Sequence, residues 1–111
     1  NFWASWCDVC RQEAPLLENT WQRMQSQHQK VLFLGVDYDD TQQDGLGFVQ
    51  QYGITYPNVV DPNGTTTINY GVSGVPETFF INRHGVIVQK VVGELTEQVL
   101  QENLQALFRS V

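Results

Sequence analysis

Two cysteines three positions apart, Cys7 and Cys10, stand between a short apolar segment and an amphipathic stretch, and this placement constrains the fold more than any other feature of the chain. Asn1-Phe2-Trp3-Ala4 reads as the end of a buried strand and Ser5-Trp6-Cys7 as a turn into a helix. Leu17, Trp21 and Met24 then recur at i, i+4 and i+7, the apolar stripe of a helix over roughly residues 8 to 28. Pro15 lies inside that span, where it removes an amide donor and crowds the preceding turn, so a kink near Arg11 to Pro15 is expected. Val31-Leu32-Phe33-Leu34-Gly35-Val36 is a continuous apolar run, as a strand covered on both faces requires. The opening is therefore a βαβ unit with the cysteine pair at the start of its helix.

Further along, Asp37 to Asp44 reads as a polar loop leading to a second helix over about residues 43 to 52, with Leu46 and Val49 facing inward and Gly53 ending it. A connecting stretch follows, then the turn Asp61-Pro62-Asn63-Gly64 and a short helix over about residues 65 to 70. Thr78-Phe79-Phe80-Ile81 and the run from Val86 to Val92 flank Asn82-Arg83-His84-Gly85, the pattern of an antiparallel hairpin with glycine at its turn. Val99, Leu100, Leu104, Leu107 and Phe108 mark a last amphipathic helix with Thr96 as its cap. The order βα, βα, ββα predicts an α/β domain with one mixed central sheet and helices on both faces. At 111 residues and 41% hydrophobic content, residues 1–111 suffice for one domain and not for two. Because the chain opens inside an apparent strand, we expect one or more N-terminal strands, and any signal peptide or anchor, to lie upstream of Asn1.

The net charge of −6 argues against nucleic acid or an anionic membrane surface as the main ligand, since both need clustered cations that six scattered Lys and Arg do not supply. The chemistry centres on Cys7-Asp8-Val9-Cys10. One helical turn can bring the two sulfurs within bonding distance. At a helix N-terminus, unpaired amides and the macrodipole stabilise a thiolate, which makes Cys7 the expected attacking sulfur. Cys10, one turn deeper, is expected to be more buried and to resolve a mixed disulfide from inside. Two plainer readings stand beside this one. Half of a zinc site would need further ligands, and His28 and His84 lack finger spacing; a structural bridge across so short a loop would constrain the unfolded chain little.

The segment Asn1 to Glu13, NFWASWCDVCRQE, resembles the active-site segment of thioredoxin-like proteins of the TlpA, ResA and CcmG (DsbE) type, and Val72 to Ile81, VSGVPETFFI, resembles their second signature. The resemblance covers essentially the whole chain. It implies a thioredoxin-like fold and a thiol-disulfide oxidoreductase outside the cytoplasm, periplasmic or membrane-anchored through the expected upstream segment, with many relatives acting as reductants in cytochrome c maturation. It implies a protein disulfide substrate, apocytochrome c among the candidates, a membrane thiol reductase as electron donor, and no cofactor or metal beyond the Cys7–Cys10 disulfide itself.

Carried over residue by residue, Pro76 matches the family's cis-proline, which lies beside the dithiol and offers the backbone of Val75 to an extended substrate; an X-Pro bond tolerates cis at about 0.5 to 1 kcal/mol. Glu13 matches the acid three positions after the second cysteine. At i+3 it shares a helical face with Cys10, and a partly desolvated carboxyl there would have a raised pKa and exchange protons with the deeper thiol. Asn1 stands where ordinary thioredoxins carry a buried Asp, and an amide cannot shuttle a proton, which leaves the task to Glu13. Trp3 and Trp6 match aromatic positions expected to shield the sulfurs, with core packing the alternative for Trp3. Glu77 matches the acid of the Pro-Glu-Thr motif and is expected on an exposed loop, contacting substrate or serving as a plain surface charge. The segment from Gly35 to Asp40 resembles CcmG's and is expected to add an acidic rim. Asp8 and Val9 depart from the proline common between such cysteines; a carboxylate at Asp8 opposes the helix dipole and leans the pair toward reduction. Competing functions are a general exported disulfide reductase or isomerase and a non-catalytic peptide-binding module, which would have no need of both cysteines. A peroxidase fits poorly, as there is no separate peroxidatic cysteine among the two present.

Overall fold

The cysteine-bearing helix is held against a five-stranded mixed sheet. The computed structural model describes residues 1–109. Strand β1 (Phe2–Trp3) leads through a turn into α1 (Asp8–Ser26), followed by β2 (Gly35–Tyr38), α2 (Gln42–Gln51), β3 (Asn58–Asp61), α3 (Thr65–Asn69), β4 (Glu77–Ile81), β5 (Ile87–Val92) and α4 (Glu97–Arg109). The sheet order is β3-β2-β1-β4-β5. The β3/β2 and β2/β1 pairs are parallel, and β1/β4 and β4/β5 are antiparallel. The mixed α/β architecture expected from the sequence is therefore present.

Helix α1 runs unbroken through Pro15 and buries Cys10, Ala14, Leu17 and Met24 in the core. Its partners include Trp3, whose ring stacks on Phe48 at 4.4 Å between centroids and whose indole Nε1 donates to Asn58 Oδ1 at 2.9 Å. Trp3 thus ties β1 to α2 and β3, and core packing accounts for it. The hairpin forms as expected, with Gly85 at φ 79° completing the turn, a left-handed conformation that glycine adopts without steric cost.

Three expectations are corrected. The second strand starts at Gly35 rather than Val31 and runs on through Asp37 and Tyr38, because both ladders that hold it begin at Gly35 or Val36, opposite Asn58 and Phe2. Leu46 is exposed on α2. Gly45, Phe48, Val49 and Tyr52 form the face turned to the core, and Leu46 lies about 100° away from Gly45 around the helix axis. The stretch before the Asp61 turn contains an edge strand, β3, whose Val59 and Val60 are both exposed, so its burial pattern lacks the alternation that marks a strand.

Candidate active site

The dithiol lies at the carboxyl end of β1, where the chain turns one way in the sheet to β2 and later returns on the other side as β4. In α/β sheets such reversal points leave a crevice at the strand ends. Because β4 runs antiparallel to β1, with Glu77 opposite Phe2, its first residues come back beside the turn that carries Cys7.

Cys7 and Cys10 are joined in a disulfide, with Cα atoms 5.2 Å apart. Cys7 is the N-cap of α1, and the Cys10 amide donates to Cys7 Sγ at 3.1 Å. A thiolate at Cys7 would receive that amide and the positive end of the helix. The expected difference in burial is present but small: Cys7 is 7% exposed and Cys10 3%. Cys7 is thus itself largely covered, because Sγ sits 3.7 Å from the Val75 carbonyl oxygen. The Val75–Pro76 bond is cis, as expected.

Glu13 is buried more deeply than expected, at 2% exposure, on the same face of α1 as Cys10. Its Oε1 accepts from Asn1 Nδ2 at 2.8 Å and its Oε2 from the Leu95 amide at 2.8 Å. Asn1 Nδ2 also donates to Thr78 Oγ1 at 2.9 Å, linking α1 to β4. Burial raises the Glu13 pKa above the ordinary carboxylate value, and the Leu95 and Asn1 hydrogen bonds only partly oppose it. One donor on each oxygen leaves lone pairs free to take a proton.

Glu77 is not an exposed loop residue. It is the first residue of β4, 1% exposed, and its Oε2 accepts from the Ser73 amide at 2.9 Å and the Gly74 amide at 3.1 Å. Its Oε1 pairs with Lys90 Nζ at 3.0 Å. Desolvation pushes its pKa up, but the Lys90 bond, the two amides and the Lys90 charge outweigh it and hold the pKa below the ordinary value. The side chain pins the loop that presents Val75 and Pro76 and has no surface left for substrate. The reason is register: opposite Phe2 and Val92, position 77 lies in the interior of the sheet.

Trp6 is 54% exposed beside the sulfurs, and its indole Nε1 donates to the Asp39 carbonyl at 2.9 Å. The expected acidic rim is only partly a rim: Asp39 is exposed, but Asp37 is buried in β2, and Asp40 accepts from the Ser5 amide at 2.7 Å and the Ser5 hydroxyl at 2.6 Å. Asp8 pairs with Arg11, whose Nη1 donates to the Ser5 carbonyl at 2.8 Å, so the opposing charge expected at Asp8 is partly neutralised. Ser5, Arg11 and Lys90 were not singled out from sequence. Only the Asp8/Arg11 spacing of i, i+3 carried a local signal. Among the described residues, no group of three or more His, Cys, Asp or Glu is placed to hold a metal ion, and no helix is long and apolar enough to cross a membrane.

A strand, a turn, a helix opened by a Cys-x-x-Cys disulfide and a cis-proline loop facing it define a thioredoxin-like fold with a redox-active type of cysteine pair. Comparison with known proteins agrees. The model of the AhpC/TSA family matches residues 1–90, and the chain belongs to that family. It is 38% identical over 108 residues to the thiol:disulfide interchange protein DsbE of Allochromatium vinosum, a match covering 96% of this chain and 57% of the relative. It is 31% identical over 107 residues to the thiol-disulfide oxidoreductase ResA of Bacillus thuringiensis, covering 96% and 61% respectively. Among solved structures, a thiol:disulfide interchange protein DsbE from Chlorobium tepidum superposes with a TM-score of 0.86 at 30% identity, covering 96% of this chain and 75% of that one. The chain thus spans somewhat under two thirds of the length of these curated relatives.

Proposed function

We propose that this chain carries the catalytic domain of a thiol-disulfide oxidoreductase that reduces protein disulfides outside the cytoplasm, with the heme-attachment cysteines of apocytochrome c as its substrate. The observation that carries the reading is the Cys7–Cys10 disulfide at the start of α1, with the Val75 carbonyl 3.7 Å from Cys7 Sγ beside a cis Pro76. That arrangement gives an extended peptide a backbone partner next to the sulfur that attacks it. The names of the DsbE and ResA relatives support the same chemistry, and the exported setting follows the family resemblance.

In the reduced form, the Cys7 thiolate attacks one sulfur of the substrate disulfide. The substrate S–S bond breaks, a Cys7–substrate bond forms, and the departing substrate sulfur takes a proton. Glu13 accepts the proton of Cys10, and the Cys10 thiolate attacks Cys7 Sγ, releasing the second substrate thiol and forming the Cys7–Cys10 disulfide. Two electrons pass to the substrate, and a thiol donor, proposed to be a membrane thiol reductase, restores the dithiol. Val75 and Pro76 bind the substrate backbone, Trp6 offers an exposed apolar face, and Glu77 acts indirectly by fixing their loop.

The test is a redox titration of the Cys7/Cys10 couple against glutathione and dithiothreitol buffers, paired with reduction rates for a Cys-x-x-Cys-His peptide disulfide and an unrelated one. A potential at or below about −270 mV with preference for the first peptide is expected; one near about −120 mV would identify an oxidant instead. Equal rates for both peptides would replace the apocytochrome assignment with a general disulfide reductase.

A further inference from the structure

The strand behind the active-site turn contains an acid that the exchange chemistry does not use. Asp37 lies in the middle of the parallel part of the sheet, opposite Trp3 on β1 and Val60 on β3, and is 5% exposed. Its Oδ1 is buried with no hydrogen-bond donor among the described residues. On the other side, α2 closes over it: a Cβ placed on Gly45 would come 2.1 Å from Asp37 Oδ2, so the position must be glycine for the carboxyl to fit.

The group within hydrogen-bonding reach of Asp37 is Asp40, also a carboxyl. Both Asp40 oxygens are already acceptors, Oδ2 from the Ser5 amide and Oδ1 from the Ser5 hydroxyl. The charges on the elements packed around the pair are Asp39 beside it, Asp44 in the first turn of α2, Asp61 at the end of β3, and Arg11 of α1. Arg11 donates to the Ser5 carbonyl and to Asp8, not to either carboxyl of the pair. Among the described residues neither carboxyl has a cation within ion-pair distance, and two adjacent carboxyls, one buried in the sheet and the other half-buried beside it, repel each other strongly when both are ionised. A single shared proton removes the repulsion and supplies the missing donor at once. It belongs on Asp37, since Asp40 is the partner whose negative charge two Ser5 donors already stabilise.

We propose that Asp37 is a positioning residue: its protonated carboxyl donates to Asp40, and this bond keeps Asp40 on Ser5 and so sets the turn that presents Trp6 and Cys7 to substrate. The turn is gripped twice from this side, by Asp40 on Ser5 and by the Asp39 carbonyl on the Trp6 indole. Asp39 itself adopts φ 49°, a left-handed turn conformation that Asp tolerates better than most non-glycine residues. Burial, followed by the Asp40 hydrogen bond and charge, lifts the Asp37 pKa to about 8, in line with a proton retained at neutral pH. The role in catalysis rests on the oxidoreductase reading above; the placement of the turn does not.

The experiment is chosen to separate the two. In the oxidised protein, where neither cysteine titrates, the Ser5 amide and the Trp6 indole are followed by NMR from about pH 6 to about pH 10, the indole being assigned with Trp6→Phe. Both signals are expected to move together in one alkaline step in the native protein. In Asp37→Asn, whose amide can still donate to Asp40, both should stay at their low-pH positions with no step. In Asp37→Val, which has no donor, both should be displaced at every pH. The same variants in the reduced protein at neutral pH should give a peptide-reduction rate within about twofold of native for Asn and a rise in KM of about fivefold or more for Val. A step that persists in Asp37→Asn, no step in the native protein, or unmoved signals in Asp37→Val would each overturn the assignment, even if the domain proved inactive toward every disulfide tried.

Discussion

Glu13→Gln removes a charge beside the deeper sulfur while leaving the surrounding hydrogen bonds able to re-form. The new amide can keep its oxygen on the Leu95 nitrogen and turn its nitrogen toward Asn1. If the Asn1 amide then flips, its oxygen accepts from that nitrogen and from the Thr78 hydroxyl, which rotates to donate, so no buried donor is stranded. The fold should therefore survive with a change of about 1 kcal/mol or less. The effect on the thiols is larger. Side chains at i and i+3 on a helix lie about 5–6 Å apart, and a full charge at about 6 Å with an effective dielectric near 20 contributes about 2.8 kcal/mol, or about two pKa units at Cys10. Burial raises the Glu13 pKa, so the carboxyl carries less than its full charge as the thiols titrate, and the observed fall in the thiol pKa should be at most about two units. Resolution of the mixed disulfide should slow by about a hundredfold at neutral pH, the lower end of the range for loss of a general base. Ultraviolet thiolate absorbance across pH reads the first quantity, and single-turnover reduction of a peptide disulfide the second. A native thiol titration together with a native rate would show that the Glu13 carboxyl does not act on Cys10 and would leave it a structural link between α1 and the segment before α4.

The remaining expectations concern labelling, stability and pH. Brief iodoacetamide treatment of the reduced protein, followed by mass mapping, should label Cys7 ahead of Cys10; the reverse order would exchange attacker and resolver. Glu18→Ala should lower stability in a urea melt by about 2 to 3 kcal/mol, because Glu18 accepts from the Thr55 amide at 2.7 Å, the Thr55 hydroxyl at 2.6 Å and Gln22 at 2.7 Å, and a loss under about 0.5 kcal/mol would show these bonds to be replaced by water. Asp37 binds its proton more tightly folded than unfolded, so between its ordinary value of 3.8 and about 8 its contribution to stability falls as pH rises and is flat above; Asp37→Asn should flatten the decline of Tm across this window, and an unchanged slope would refute the account. Glu77 has the opposite sign: its depressed pKa gives stability present above the ordinary carboxylate value and lost on acidification, so Lys90→Met should reduce the acid sensitivity of Tm below about pH 4.5 while loosening the Val75–Pro76 loop.

What the sequence determined by itself is local. The Cys7/Cys10 spacing at a strand-to-helix turn, the apolar stripe through Leu17, Trp21 and Met24, the hairpin around Gly85 and the identity of Pro76 each depend on neighbours within a few turns or a few strand residues, where helix and strand periodicity speak directly. Family resemblance extended this to the facing of Cys7 and Pro76. Tertiary structure alone decided where the acids went. Glu77 and Asp37 look like surface charges in any short window, but registers with Phe2 and with Trp3 place them inside the sheet, where one finds Lys90 and two amides and the other finds Asp40. The same holds for the bonds of Glu13 to Asn1 and Leu95, and of Asp40 to Ser5, whose partners stand 12, 82 and 35 positions apart. Burial and hydrogen bonding of a charged side chain are properties of the assembled sheet, and no periodicity along the chain encodes which distant donor will meet it.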